Sequence, residues 1–170
     1  GDSVNTKVSL NKANTTVPAT STASASSDVY DVSSIVENCM PSVVSITNVG
    51  TQEFRTIFGN YEQESQSSGS GIIIGQNDTE LLIVTNNHVV SGAKELSVYF
   101  NSDGQDADED NVISAKIKGT DANKDLAVIA VQLSDIPQET MSSIKTATVG
   151  DSSAMKVGEP VVAIGNDYGY

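Results

Sequence analysis

The chain has 170 residues and a formal charge of −13, from 22 acidic against 9 basic side chains. That length suits one domain with attachments and a real core, while the charge argues against phosphate backbones and anionic lipid surfaces as partners. The one cysteine, Cys39, makes neither an internal disulfide nor a cysteine-ligated zinc site. No apolar run reaches membrane-spanning length, and Gly1 opens onto a polar stretch rather than a signal peptide.

Residues 1–28 are a Ser/Thr-rich stretch in which Asp2 and Asp28 cancel Lys7 and Lys12. It has too little apolar surface to offset its ordering entropy and reads as a tether. Within it Val4 to Leu10 alternates apolar and polar residues and is expected to serve as an added strand. From Val29 to Met40 the apolar residues fall at helical spacing, with Ser27 or Asp28 as N-cap and Pro41 as the stop. Six strand-like runs follow: Val43–Val49, Ser70–Gly75, Leu81–Asn86, Glu95–Phe100, Val112–Gly119 and Leu126–Leu133. Leu96, Val98 and Phe100 share one face, as do Ile113, Ala115 and Ile117; the runs at Ile72, Leu81 and Leu126 are continuous and suit strands covered on both sides. The fold class is therefore all-β, a six-stranded antiparallel barrel or a sandwich with a short N-terminal helix. Residues 134–144 read as a polar linker, and Thr146–Val149 and Pro160–Gly165 as two further strands without natural neighbours. The domain division is 1–28 tether, 29–134 barrel with entry helix, and 135–170 linker with the start of a second unit.

The single histidine, His88, follows a buried run, and Asp125 opens another. A histidine acting as general base needs a carboxylate on its second ring nitrogen, to hold the tautomer and stabilise the imidazolium. Asp103, Asp106, Asp108, Glu109 and Asp110 suggest calcium, but an EF-hand loop starting at Asp106 would put Asn111 where glycine is needed and Ile117 where glutamate is needed. A solvated turn between two strands is the favoured reading, and no metal or other cofactor is expected. The sequons at Asn14 and Asn77 are assigned no role.

The segments Ser70-Gly71-Ile72-Ile73-Ile74, Thr85-Asn86-Asn87-His88-Val89-Val90 and Asp121-Ala122-Asn123-Lys124-Asp125-Leu126-Ala127-Val128 come in order, followed by Val157-Gly158-Glu159-Pro160-Val161-Val162-Ala163-Ile164-Gly165-Asn166. Together, from about Ile35 to Gly169, they resemble the protease domain of the HtrA/DegP family of trypsin-like serine proteases. The resemblance implies that His88 is the general base and Asp125 the carboxylate that orients it. It implies that the six strands are the first barrel of a chymotrypsin-type fold and that the second barrel is incomplete. Residues 51–68, with Phe54, Phe58 and Tyr61, match the long loop after the family's first strand. The family ending Gly-Asn-Pro-x-Gly is here Gly165-Asn166-Asp167-Tyr168-Gly169, without the proline.

The family's nucleophile segment, Gly-Asn-Ser-Gly-Gly, does not occur in this sequence. Gly150-Asp151-Ser152-Ser153-Ala154 begins like a trypsin nucleophile motif, but it lies too close to Asp125 and lacks the glycines of an oxyanion turn. Ser70, between Gly69 and Gly71, is a strand-start serine without elbow spacing. The resemblance thus implies the N-terminal part of a cell-envelope endopeptidase of protein quality control and stress response, inactive by itself. Unfolded or misfolded polypeptides are the expected substrates, a trimer-type homo-oligomer the expected assembly, and a membrane anchor upstream of Gly1 the expected attachment. The competing readings are a non-catalytic pseudo-protease and an extracellular β-domain that binds a protein, cation or sugar. The tail or the Val161–Ile164 run is further expected to pair with the barrel of its own or a neighbouring chain, giving a dimer or swapped assembly.

Overall fold

The computed structural model describes residues 10–12, 31–101 and 112–165. Helix α1 spans Ser33–Cys39 and passes into a tight 3-10 turn, Met40–Ser42, that contains Pro41. It starts later than the periodicity suggests, where the Ser33 N–H donates to Asp31 Oδ1 at 2.9 Å. The expected caps, Ser27 and Asp28, lie outside the described residues. Beyond Pro41 the chain extends into six strands: β1 (Val43–Thr56), β2 (Gly59–Gln76), β3 (Glu80–Thr85), β4 (Ala93–Phe100), β5 (Val112–Asp121) and β6 (Leu126–Gln132). A four-residue helix, α2 (Asn87–Val90), joins β3 to β4.

All neighbouring strands are antiparallel, in the order β1-β2-β3-β6-β5-β4, with β4 closing back onto β1. Closure leaves the barrel without a free edge. Its interior is filled by Val44, Ile46, Ile73, Ile83, Val98, Ile129 and Val131, all with essentially no exposed surface. The continuous run Leu81–Ile83 is buried on both sides of the sheet, as its composition implies. At Gly71 the interior has no room for a methyl group, because a Cβ would come 2.7 Å from Cγ2 of Ile83 and 2.8 Å from Cδ1 of Ile46. Leu96, Val98 and Phe100 are buried together, as are Ile113 and Ala115. Ile117, next to a register shift between Ile117 and Gly119, stays 43% exposed.

Three expectations are corrected. Residues 51–68 are largely a hairpin extension of β1 and β2 rather than a loop, turning at Ile57–Phe58 and stacking Phe54 on Tyr61 with ring centroids 5.4 Å apart. Cross-strand aromatic pairing and an unbroken ladder hold it. The segment 134–144 is not simply a polar linker: Ile136 is buried in the core, and α3 (Gln138–Ser143) brings Met141 and Ile144 against it. Thr146–Val149 and Pro160–Gly165 form no strands among the described residues, and Val161 is largely exposed. The closed barrel offers them no edge.

The rest of the C-terminal segment is tied at points. Lys145 N–H donates to Pro41 O at 3.0 Å and Ala147 N–H to Ile73 O at 2.8 Å. The latter carbonyl lies where β2 slips register against β3, between Ile73 and Gly75. Lys12 and Val149 form an isolated parallel bridge, with Val149 N–H donating to Asn11 O at 2.9 Å. Among the described N-terminal residues, Asn11 and Lys12 thus meet the C-terminal segment; the remainder of the expected added strand, residues 4–9, lies outside the described residues, as does the acidic cluster 103–110.

Candidate functional site

Antiparallel pairing of β3 with β6 places the end of one strand beside the start of the other, with Thr85 opposite Ala127. Residues 37 positions apart therefore meet at one rim of the barrel. β3 leads directly into α2, which carries His88, while a turn through Ala122–Lys124 leads into Asp125. That turn is shaped by Asp121, whose Oδ1 accepts from the N–H groups of Asn123 and Lys124, each at 3.1 Å. It ends in a left-handed residue: Asp125 has φ 53°, a conformation that aspartate tolerates better than most side chains.

From this position the Asp125 carboxylate grips His88 twice. His88 N–H donates to Oδ1 at 2.9 Å, and His88 Nδ1 lies 2.7 Å from Oδ2. A carboxylate only accepts, so Nδ1 carries the proton and Nε2 is the nitrogen with a lone pair in the neutral ring. Asn86 closes the frame, its Nδ2 donating to Asp125 O at 2.9 Å. The buried Thr85 hydroxyl donates to Ser70 O at 2.8 Å and fixes β3 to β2 just before the turn into α2. The Asp125 carboxyl is held below the usual carboxylate range, chiefly by the His88 backbone N–H, then by the hydrogen bond to the His88 ring; the charge on that ring and the Asn87 N–H add less. The His88 and Asp125 side chains are 72% and 45% exposed. The imidazole is thus oriented, partnered and open to an incoming group.

His88 and Asp125, singled out from the sequence, are brought together. Ser153, beside Ser152, gives its hydroxyl hydrogen to Asp151 Oδ1 at 2.6 Å, and the carbonyl of Ser70 is taken by Thr85. Sequence reasoning missed Asn86, Thr85 and Asp121 as the frame of the pair. The Asx pattern at Asp121, a carboxylate two and three residues before the N–H groups it caps, was a usable signal; for Thr85 none existed.

Residues 69–170 match the model of the trypsin-like peptidase domain. The chain is 36% identical over 149 residues to the serine protease Do-like HtrA of Bacillus subtilis, covering 85% of this chain and 30% of that protein. It is 32% identical over 171 residues to the serine protease Do-like HtrA of Lactococcus lactis, covering 94% of this chain and 38% of that one. The periplasmic pH-dependent serine endoprotease DegQ of Escherichia coli is 31% identical over 148 residues, 79% of this chain and 29% of its own. The chain spans about a third of the length of these curated relatives.

Proposed function

Because the chain belongs to the HtrA/DegP family of trypsin-like serine proteases, we propose that it is the base-carrying part of an endopeptidase of protein quality control. The observation that carries this reading is the two-point grip of Asp125 on His88. Nε2 of His88 takes the proton from a serine hydroxyl as its oxygen attacks the peptide carbonyl carbon. The imidazolium, stabilised by Asp125, then returns the proton to the leaving amine as the C–N bond breaks, and water resolves the acyl-enzyme by the same relay. The serine and the oxyanion donors belong to a Gly-Asn-Ser-Gly-Gly segment that this sequence does not contain, so the 170-residue chain by itself has no peptidase activity. In this reading residues 1–28 are the tether, 29–134 the first barrel, and 135–170 the linker and the start of the second barrel. The site is extracytoplasmic, membrane-anchored through a segment upstream of Gly1; the substrates are unfolded or misfolded polypeptides, and the assembly is a homo-oligomer. The name of the DegQ relative, a periplasmic endoprotease, supports the location and the class of reaction.

The test uses a longer polypeptide that includes the nucleophile segment. A fluorophosphonate probe labels it, and His88→Ala abolishes the labelling. A full-length, folded product that does not label overturns the reading in favour of a pseudo-protease. The 170-residue chain turns over casein no faster than its own His88→Ala control.

A further inference from the structure

α2 has only four residues, too few to hold its own geometry in water. It nevertheless delivers both a backbone N–H and a ring nitrogen to one carboxylate. The strands beneath it explain how. Asn48, in β1, is 3% exposed, and its Nδ2 donates to Val89 O at 2.9 Å and to Ser91 O at 3.1 Å. Its Oδ1 is enclosed as well and has no hydrogen-bond partner among the described residues. Turning the amide over does not help, because it would set Oδ1 against two carbonyl oxygens. A buried acceptor left unpaired is unfavourable, and an apolar side chain at this position would not carry that penalty. Two glycines complete the fit. At Gly69 a Cβ would come 2.6 Å from Cγ2 of Val89, and at Gly50 another would come 2.6 Å from Gly92 O. β1 and β2 are thus moulded to the turn that carries His88.

We propose that Asn48 is a positioning residue for His88: by holding the carbonyls of Val89 and Ser91, it sets α2 on the barrel so that the backbone N–H and the ring of His88 both reach Asp125. The inference deepens the general-base reading of His88 and rests on it for its functional meaning. Asn48 itself is buried under α2.

The test reads the tautomer of His88, the only histidine in the chain, from imidazole 15N spectra at alkaline pH. The parent chain shows mainly the Nδ1–H form. Asn48→Leu, close in volume but without donors, shifts the ring toward the Nε2–H form that predominates in free histidine, and Asp125 titrates nearer its ordinary range. Asn48→Ser, with a shorter side chain and one donor, gives an intermediate mixture. Gly69→Ala, which displaces Val89 and leaves Asn48 intact, moves the ring in the same direction. Thermal melts of the same variants report the fold separately. A folded Asn48→Leu chain with the parent tautomer overturns the proposal, whatever its melting temperature. If that variant does not fold, parent-like tautomers in both Asn48→Ser and Gly69→Ala overturn it. No turnover is involved, so this outcome is independent of whether the longer polypeptide reacts with the fluorophosphonate.

Discussion

An exposed ion pair ordinarily adds little to stability, because both side chains lose freedom and water screens the attraction. Asp125 escapes part of that limit by taking its leading hydrogen bond from a backbone N–H, a donor already ordered by the turn. Its depressed pKa sets the direction of a pH effect. The folded carboxylate resists protonation while the unfolded one does not, so its contribution is complete above the unfolded pKa and disappears as pH falls through the folded value. Glu80 acts in the same sense, lowered mainly by its hydrogen bond with Lys118, whose Nζ lies 3.0 Å from Oε2. From the ordinary values of 3.8 for Asp125 and 4.5 for Glu80, the melting temperature should hold near neutrality and begin to fall below about pH 4.5. Calorimetry across that range checks it, and Glu80→Gln should reduce the slope. Asp125→Asn should act on chemistry instead. Its amide N–H faces Nδ1 and favours the tautomer with Nε2 protonated, which cannot take a proton. In the proposed longer polypeptide, kcat should drop by about 10⁴-fold while the fold persists, measured on a peptide ester.

Among the elements, β1 and β2 contribute to the interior, to the seat of α2 and to the projecting hairpin. Gly71 is where these demands are tightest, and Gly71→Ala should cost about 1–3 kcal/mol in denaturant unfolding through displacement of Ile46 and Ile83. The barrel was legible because its strands carry apolar residues either in alternation or in unbroken runs, and both patterns have a single burial solution here. The hairpin extension was not. Residues 61–70 are almost all polar, so no periodicity distinguishes strand from loop, and the ladder itself decides. The two C-terminal runs failed in the opposite sense: Val161 and Val162 have strand composition, yet a strand needs a partner edge, and a closed barrel has none to give. His88 and Asp125 were legible from the motifs around them. Asn48 was not, since a lone asparagine in a strand carries no spacing signal, and its role depends on carbonyls 41 and 43 positions away.

At the scale of the whole chain, the barrel from Val43 to Gln132 closes through its own antiparallel ladders, while the described residues after Ile144 are held by backbone bonds from Lys145, Ala147 and Val149. Removing everything after Ile144 should therefore cost only about 2 kcal/mol, at about 1 kcal/mol for each of the two bonds to Pro41 and Ile73. Cooperative melting of the shortened chain checks this; loss of the cooperative transition would show that the C-terminal segment is integral to the barrel. Closure also has a consequence in time. His88 and Asp125, the proposed proton relay, lie within one closed barrel, which precedes the nucleophile segment in the proposed longer polypeptide. A chain delivered N-terminus first at about 5–20 residues per second would expose the whole barrel, with His88 oriented, seconds before the nucleophile segment arrived. On the proposed reading, order of delivery then acts as a safety catch, because a chain with an assembled base and no nucleophile cannot cut its neighbours where it emerges.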